Sequence, residues 1–145
     1  MKKCIALLSF LLLLSCAKPI DPKDLAKLNG YWEIDYVVLP DGEKKDYPIN
    51  ETYDYFEIKG DAGTRTKVMP QLDGKFLTNA LSEKVKIVNE KDQTFLEYQT
   101  DYTKWREQLL EVTDSVMVLR NKEKNEYHYK KTDPINLDAD GKKTR

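Results

Sequence analysis

The nonapeptide LNGYWEIDY, Leu28 to Tyr36, places a glycine and a tryptophan at the threshold of an alternating run. From Trp32 the side chains change character at every step: Trp32, Ile34, Tyr36 and Val38 fall on one face, with Glu33 and Asp35 on the other. A period of two marks a half-buried strand, because successive side chains point to opposite faces.

Downstream the rhythm repeats. PDGEKKD supplies a turn around Asp41 and Gly42, ETYDYFEIK a second strand, GDAG a turn, and TRTKVM a third strand. QLDGKFLTN gives a turn and a short strand, EKVKIVN a fifth, and QTFLEYQT a sixth after NEKD. WREQLLEVT and SVMVLRN follow, parted by Asp114, and EYHYKK completes the series after NKEKN. Asp-Gly and Gly-Asp pairs accept the positive φ of tight hairpin turns. Eight to nine short strands between residues 30 and 131, without a long helix, predict an all-β domain built as an antiparallel up-and-down β-barrel, whose closure removes exposed edges. LTNALSEKVKI could instead open with a helical turn.

Upstream, Lys2 and Lys3 precede an apolar run from Ile5 to Leu14 and then LLSCAKP, the order of a secretory signal. About ten apolar residues are too few for a spanning helix, which needs roughly 20. Leu13, Leu14, Ser15 and Cys16 resemble the bacterial lipobox, which implies removal of residues 1–15 and lipidation of Cys16. Acyl chains then hold the domain to a membrane, each buried methylene contributing about 0.8 kcal/mol. Ala17 and Lys18 lack the Asp that retains lipoproteins in the inner membrane of well-studied systems. Some bacteria send lipoproteins to the cell surface with an acidic run just after the Cys; here Asp21 and Asp24 are scattered among Pro and Lys, so the expected address is the outer membrane facing the periplasm, with the cell surface as the alternative. Residues 16–29 then form a tether with Pro19 and Pro22, closed by a helical turn in DPKDLAKL. Residues 132–145 form a polar tail. In it Asn136, Asp138, Asp140 and Gly141 match the front half of a calcium loop without its distal Glu, so a polar terminus describes them better than a metal site.

A Gly-x-Trp at the entrance of the first strand, here Gly30, Tyr31 and Trp32, with a short helical turn before it and hairpin-linked strands after it, resembles the lipocalins. The whole layout resembles small bacterial lipocalin-like lipoproteins. The resemblance implies that Gly30 lets the chain enter tightly, that Trp32 plugs the closed end, and that a late basic residue lies across its indole. Tyr127, Tyr129 and Lys131 share a face of the last strand, which makes Lys131 the candidate for that cation.

Chemistry is sparse. The signal takes two of the 24 basic side chains with it, leaving 22 against 25 acidic ones and a mature charge of −3 with no basic stripe, so nucleic acid is not an expected partner. Cys4 leaves with the signal and Cys16 is committed to lipid, so no thiol remains for a disulfide, zinc or nucleophile. The one histidine, His128, falls on the outer face of the last strand, and Ser82 and Ser115 fall at turns or strand starts, away from any triad arrangement. Glu33 and Asp35 stand about 7 Å apart on one face, a spacing a glycosidase could use, but half the residues of an exposed strand should be solvated charges. No catalytic residue, metal ligand or cofactor is expected. Trp32, Tyr36, Tyr98, Tyr127 and Tyr129 are the candidate lumen-facing, ligand-binding residues, joined by Leu96, Leu110, Val112, Met117 and Leu119. The expected function is non-catalytic binding of a small, largely apolar molecule in the barrel lumen. The alternative is an envelope interaction module with a solid core that meets protein partners through its loops.

Overall fold

The computed structural model describes residues 19–73 and 75–133; the expected signal, Cys16 and the calcium-like stretch of the tail lie outside them. The chain enters through a 3-10 helix, Pro22–Leu28. Asp21 caps it by accepting from the Lys23 amide, Pro22 occupies the start where a missing N–H costs nothing, and Leu25 and Leu28 turn inward.

Nine strands follow: β1 Gly30–Val38, β2 Lys44–Asp46, β3 Tyr53–Lys59, β4 Ala62–Pro70, β5 Phe76–Glu90, β6 Gln93–Gln99, β7 Lys104–Val112, β8 Val116–Arg120 and β9 Glu126–Thr132. Each pairs antiparallel with its neighbours in the order β2-β1-β3-β4-β5-β6-β7-β8-β9. β9 returns to β1, from Tyr31 opposite Thr132 to Val38 opposite Glu126, so eight strands close an antiparallel up-and-down barrel. β2 is the ninth, a short strip on the upper half of β1, while β3 pairs with the lower half at Gly30–Trp32.

The strands are not divided as the sequence rhythm suggested. The short strand expected in QLDGKFLTN and the one in EKVKIVN belong to a single 15-residue strand, β5, which begins at Phe76, and LTNALSEKVKI contains no helical turn. Its register with β4 runs from Ala62 opposite Lys86 to Thr66 opposite Ser82 and, after an irregularity, from Val68 opposite Thr78 to Pro70 opposite Phe76. β2 arises inside the stretch expected to be only a turn.

Bulges change the phase of two strands. Ile34 stands opposite Tyr129 but the next partner of His128 is Tyr36, so Asp35 is the extra residue and the alternation of β1 reverses above it. A second shift, between Leu109 and Glu111 of β7, makes Leu110 the extra residue. Leu109, 2% exposed, is therefore the core residue rather than Leu110, while Val112, Met117, Leu119 and Leu96 lie in the core.

The register defines two ends. The 3-10 helix, Gly30 and the β3–β4, β5–β6 and β7–β8 turns gather at the closed end. The loops after β1, β4, β6 and β8 surround the open end. Trp32, Leu28, Phe56, Leu96, Met117 and Leu119 are fully buried and pack the closed half. Burial of each such side chain contributes about 1.5–3 kcal/mol, so the base of the barrel is a packed core.

Candidate binding site at the barrel mouth

The closed end is sealed by a tie between the entry helix and the last strand. The Trp32 indole N–H donates to the Leu28 carbonyl at 2.7 Å. Lys131 Nζ lies 4.9 Å from the Trp32 ring centroid and donates to the Lys27 carbonyl at 2.8 Å. Burial lowers its ammonium below the usual lysine range. Gly30 sits at φ +117, a backbone conformation that favours glycine, and a Cβ there would stand 3.1 Å from Lys131 Cε, so the lysine side chain would have to give way. Asn29 ties the helix end to β3 by exchanging hydrogen bonds with the Ile58 backbone, and the Ile20 amide donates to Thr94 Oγ1 at 3.0 Å.

Of the aromatic residues expected in the lumen, Trp32, Tyr98 and Tyr129 are buried in the core, and Tyr127 is half-buried against it. Tyr36 belongs elsewhere. The Asp35 bulge turns it to the outer face, where its ring stacks on His128 at 4.2 Å and Lys44 lies 4.1 Å from its centroid; Val37 takes the inward place. His128 Nε2 is buried without a hydrogen bond, 3.6 Å from Glu126 Oε2.

Above the apolar base the lumen becomes charged. Arg65, 7% exposed, projects from β4 into the barrel, with its guanidinium 4.0 Å from the Tyr98 ring and 5.8 Å from that of Trp105. Its Nε pairs with Glu83 of β5 and its Nη1 lies 3.6 Å from Glu107 Oε2 of β7. Asp54, 4% exposed on β3, takes Lys67 Nζ at 2.8 Å. Three carboxylates thus face two cations in a confined space. Burial opposes the Arg65 charge, but the Tyr98 oxygen with Glu83 and Asp54 outweighs it and holds the guanidinium above its ordinary range. Burial raises the Glu107 carboxyl, with Arg65 opposing, and raises the Tyr98 and Tyr129 phenols well above theirs. The Tyr98 hydroxyl and Glu107 Oε2 are both buried without a hydrogen bond of normal geometry.

A cavity of about 300 Å³ opens beside this cluster at the mouth, lined by Lys67, Leu81, Glu83, Gln99 and Tyr102 among others. Leu81 and Tyr102 are 72% and 97% exposed. Among the described residues no three His, Cys, Asp or Glu side chains converge as a metal site.

Arg65, Glu83 and Glu107 were not among the residues expected to matter, although the sequence carries a signal for two of them. Glu83 is in phase with Val85 and Ile87, and Glu107 with Trp105 and Leu109, so each is a charged residue on an apolar face. A charge on the buried phase of a strand must find a partner, and the partner here is Arg65.

Two solved structures are similar to this chain. A lipocalin-like protein from Bacteroides uniformis ATCC 8492 aligns with TM-score 0.46 at 10% identity, covering 73% of this chain and 99% of that one. An uncharacterized protein from Bacteroides eggerthii DSM 20697 aligns with TM-score 0.46 at 13% identity, covering 72% and 99%. No protein with a curated description matches the sequence. The lipocalin-like domain family matches residues 28–119, from the last residue of the entry helix to the core Leu119, and the chain belongs to that family.

Proposed function

We propose that the protein is a lipid-anchored, non-catalytic envelope protein that binds a small amphipathic molecule at the polar mouth of its barrel. The family is typically one of binding proteins without catalysis. The observation that carries the reading is the buried Arg65–Glu83–Glu107–Tyr98 cluster, incompletely hydrogen-bonded and adjoining an open cavity. Buried polar groups ordinarily find partners, and a bound molecule would supply them. The cavity volume lies at the lower end of the range for small-molecule pockets, about 300–1,000 Å³. Because the base is packed solid, the guest sits at the mouth, on Leu81, Tyr102 and the charged layer, rather than among Trp32, Tyr98 and Tyr129. The anchor is Cys16, in the outer membrane on its periplasmic side. Native mass spectrometry of the protein taken from a bacterial envelope without delipidation tests this. A reproducible added mass, lost in Tyr102→Ala and in Glu83→Gln, supports it; a bare protein mass refutes it.

A second reading, a module that meets protein partners through its loops, is favoured by the β4–β5 hairpin, where Met69, Leu72 and Leu77 are 45%, 80% and 57% exposed. A partner cross-linked through Leu72 in an envelope with an unliganded barrel would favour that reading.

A further inference from the structure

The outer wall of the barrel carries a second hollow that adjoins the mouth. A cavity of about 500 Å³ lies across β5, β6 and β7, lined by Lys84, Lys86, Glu97, Gln99, Lys104 and Arg106. Val85 and Tyr98, between them in sequence, are buried on the inward phase, so the hollow is on the outside and its floor is the sheet itself. The register sets the lining side chains in two rows, Lys84–Gln99–Lys104 and, one step toward the closed end, Lys86–Glu97–Arg106. Lys84 and Gln99 form the last rung of the β5–β6 ladder before the open end, and both residues also line the mouth cavity.

We propose that the amphiphile of the mouth carries an anionic head, of the phosphate monoester kind, seated in this outer trough on Lys84, Lys86 and Lys104, with its body crossing the last rung onto Leu81 and Tyr102. The inference rests on the mouth being a binding site.

Four cations face one carboxylate in the lining of the trough. Arg106 is occupied, 3.0 Å from Glu90 and 3.9 Å from Glu97. Lys84, Lys86 and Lys104 are exposed and form no ion pair among the described residues. The whole chain has 24 basic side chains against 25 acidic ones, so the excess is local. Elsewhere on the wall, Lys130 lies beside Glu33 and Asp35, and Lys44 beside Asp46. Lys84 and Lys86 are rooted about 7 Å apart along β5, and Lys104 about 10 Å across the sheet from Lys84. Like charges so placed on one sheet face repel one another, and a bound anion removes that cost. The mouth offers no comparable seat. Lys67 is paired there with Asp54, and Glu83 and Asp101 line the same space. The two cavities therefore divide the guest, with its apolar body at the mouth and its charge outside the rim.

The test is calorimetric titration of the purified chain with decyl phosphate, 1-decanol and inorganic phosphate, the first two kept below their micellar or solubility limits. An exposed ion pair is worth a factor of about 1.5 to 5, so three lysines should make decyl phosphate bind about ten-fold more tightly than decanol at low salt. The advantage should shrink to within about three-fold in about 0.5 M sodium chloride. Lys86→Gln combined with Lys104→Gln, positions that line the trough and not the mouth, should bring the two decyl probes within about three-fold of each other. Lys45→Gln combined with Lys59→Gln removes the same charge from exposed positions elsewhere and should leave the advantage intact. Equal affinity of the decyl probes for the native chain, or an equal loss of the advantage in both double variants, overturns the placement of the head and leaves the mouth as a binding site. Inorganic phosphate binding as tightly as decyl phosphate makes the trough a site for a free anion and overturns its link to the mouth. No binding of either decyl probe overturns the mouth reading and this inference with it.

Discussion

Replacing Arg65 with methionine removes the one cation that Glu83 and Glu107 share. The side chains of Arg65, Glu83 and Glu107 are 8%, 20% and 13% exposed, so the group behaves as a buried ion network, with little screening by solvent. Removing one partner from such a network costs about 3–5 kcal/mol, because the charges left behind remain buried and unpaired. Loss of the guanidinium over the Tyr98 ring falls within that range. Against a total stability of about 5–15 kcal/mol the loss is severe but survivable. With a urea slope of about 2 kcal/mol/M, the unfolding midpoint should fall by about 2 M. The assay is urea unfolding followed by fluorescence and by far-UV circular dichroism. The cause is isolated by a companion: Arg65→Met combined with Glu83→Gln and Glu107→Gln leaves no stranded charge and should recover most of the lost stability. A single variant that loses less than about 1 kcal/mol, or a triple variant no more stable than the single one, would refute the account of the lumen as a compensated charge network.

Other outcomes follow from the same structure. Lys131→Met breaks the hydrogen bond to Lys27 and the contact with Trp32; about 1–3 kcal/mol should be lost, with hydrogen exchange rising first at the Leu25–Leu28 amides. Gly30→Ala meets a φ of +117 and Lys131 Cε at 3.1 Å, and thermal unfolding should show a loss of about 1–3 kcal/mol. Trp32→Ala should cost about 3–5 kcal/mol by the same measurement, since the residue is fully buried at the base. Burial raises the Glu107 carboxyl, so the folded chain binds that proton at a higher pH than the unfolded chain. Its contribution is therefore present below the ordinary value of 4.5 and is lost as pH rises through the raised one. The stability of the native chain relative to Glu107→Gln should accordingly increase as pH falls from neutral toward 4.5, and a flat difference in urea midpoints would contradict the burial of that group.

The barrel was legible because its signals are local. Gly30 and Trp32 before an alternating run, and hairpin turns at short intervals, depend on neighbours in sequence. The phase of an individual strand is not local. Tyr36 reads as a partner of Trp32 and Ile34 until Asp35 is known to bulge, and that bulge exists only in the pairing with β9. Leu110 was misplaced for the same reason, by a shift visible only against β8. The charged layer was hidden differently. TRTKVM contains nothing to distinguish Arg65 from a solvated cation, since its burial is decided by Phe56 opposite on β3 and Glu83 opposite on β5. Glu83 and Glu107 could have been suspected from their apolar phase, but their common partner required the closed barrel.

The tie between the Ile20 amide and Thr94 has a bearing on how the protein would stand on a surface. Ile20 is four residues from Cys16, and four extended residues span at most about 14 Å. A lipid on Cys16 would therefore draw the closed end down to the bilayer and point the mouth away from it, at the far end of the nine-residue β1. Molecules dissolved in the anchoring leaflet would have no direct path to Leu81 and Tyr102. The barrel would stand as a cup facing the aqueous space, filled from the side opposite its own membrane.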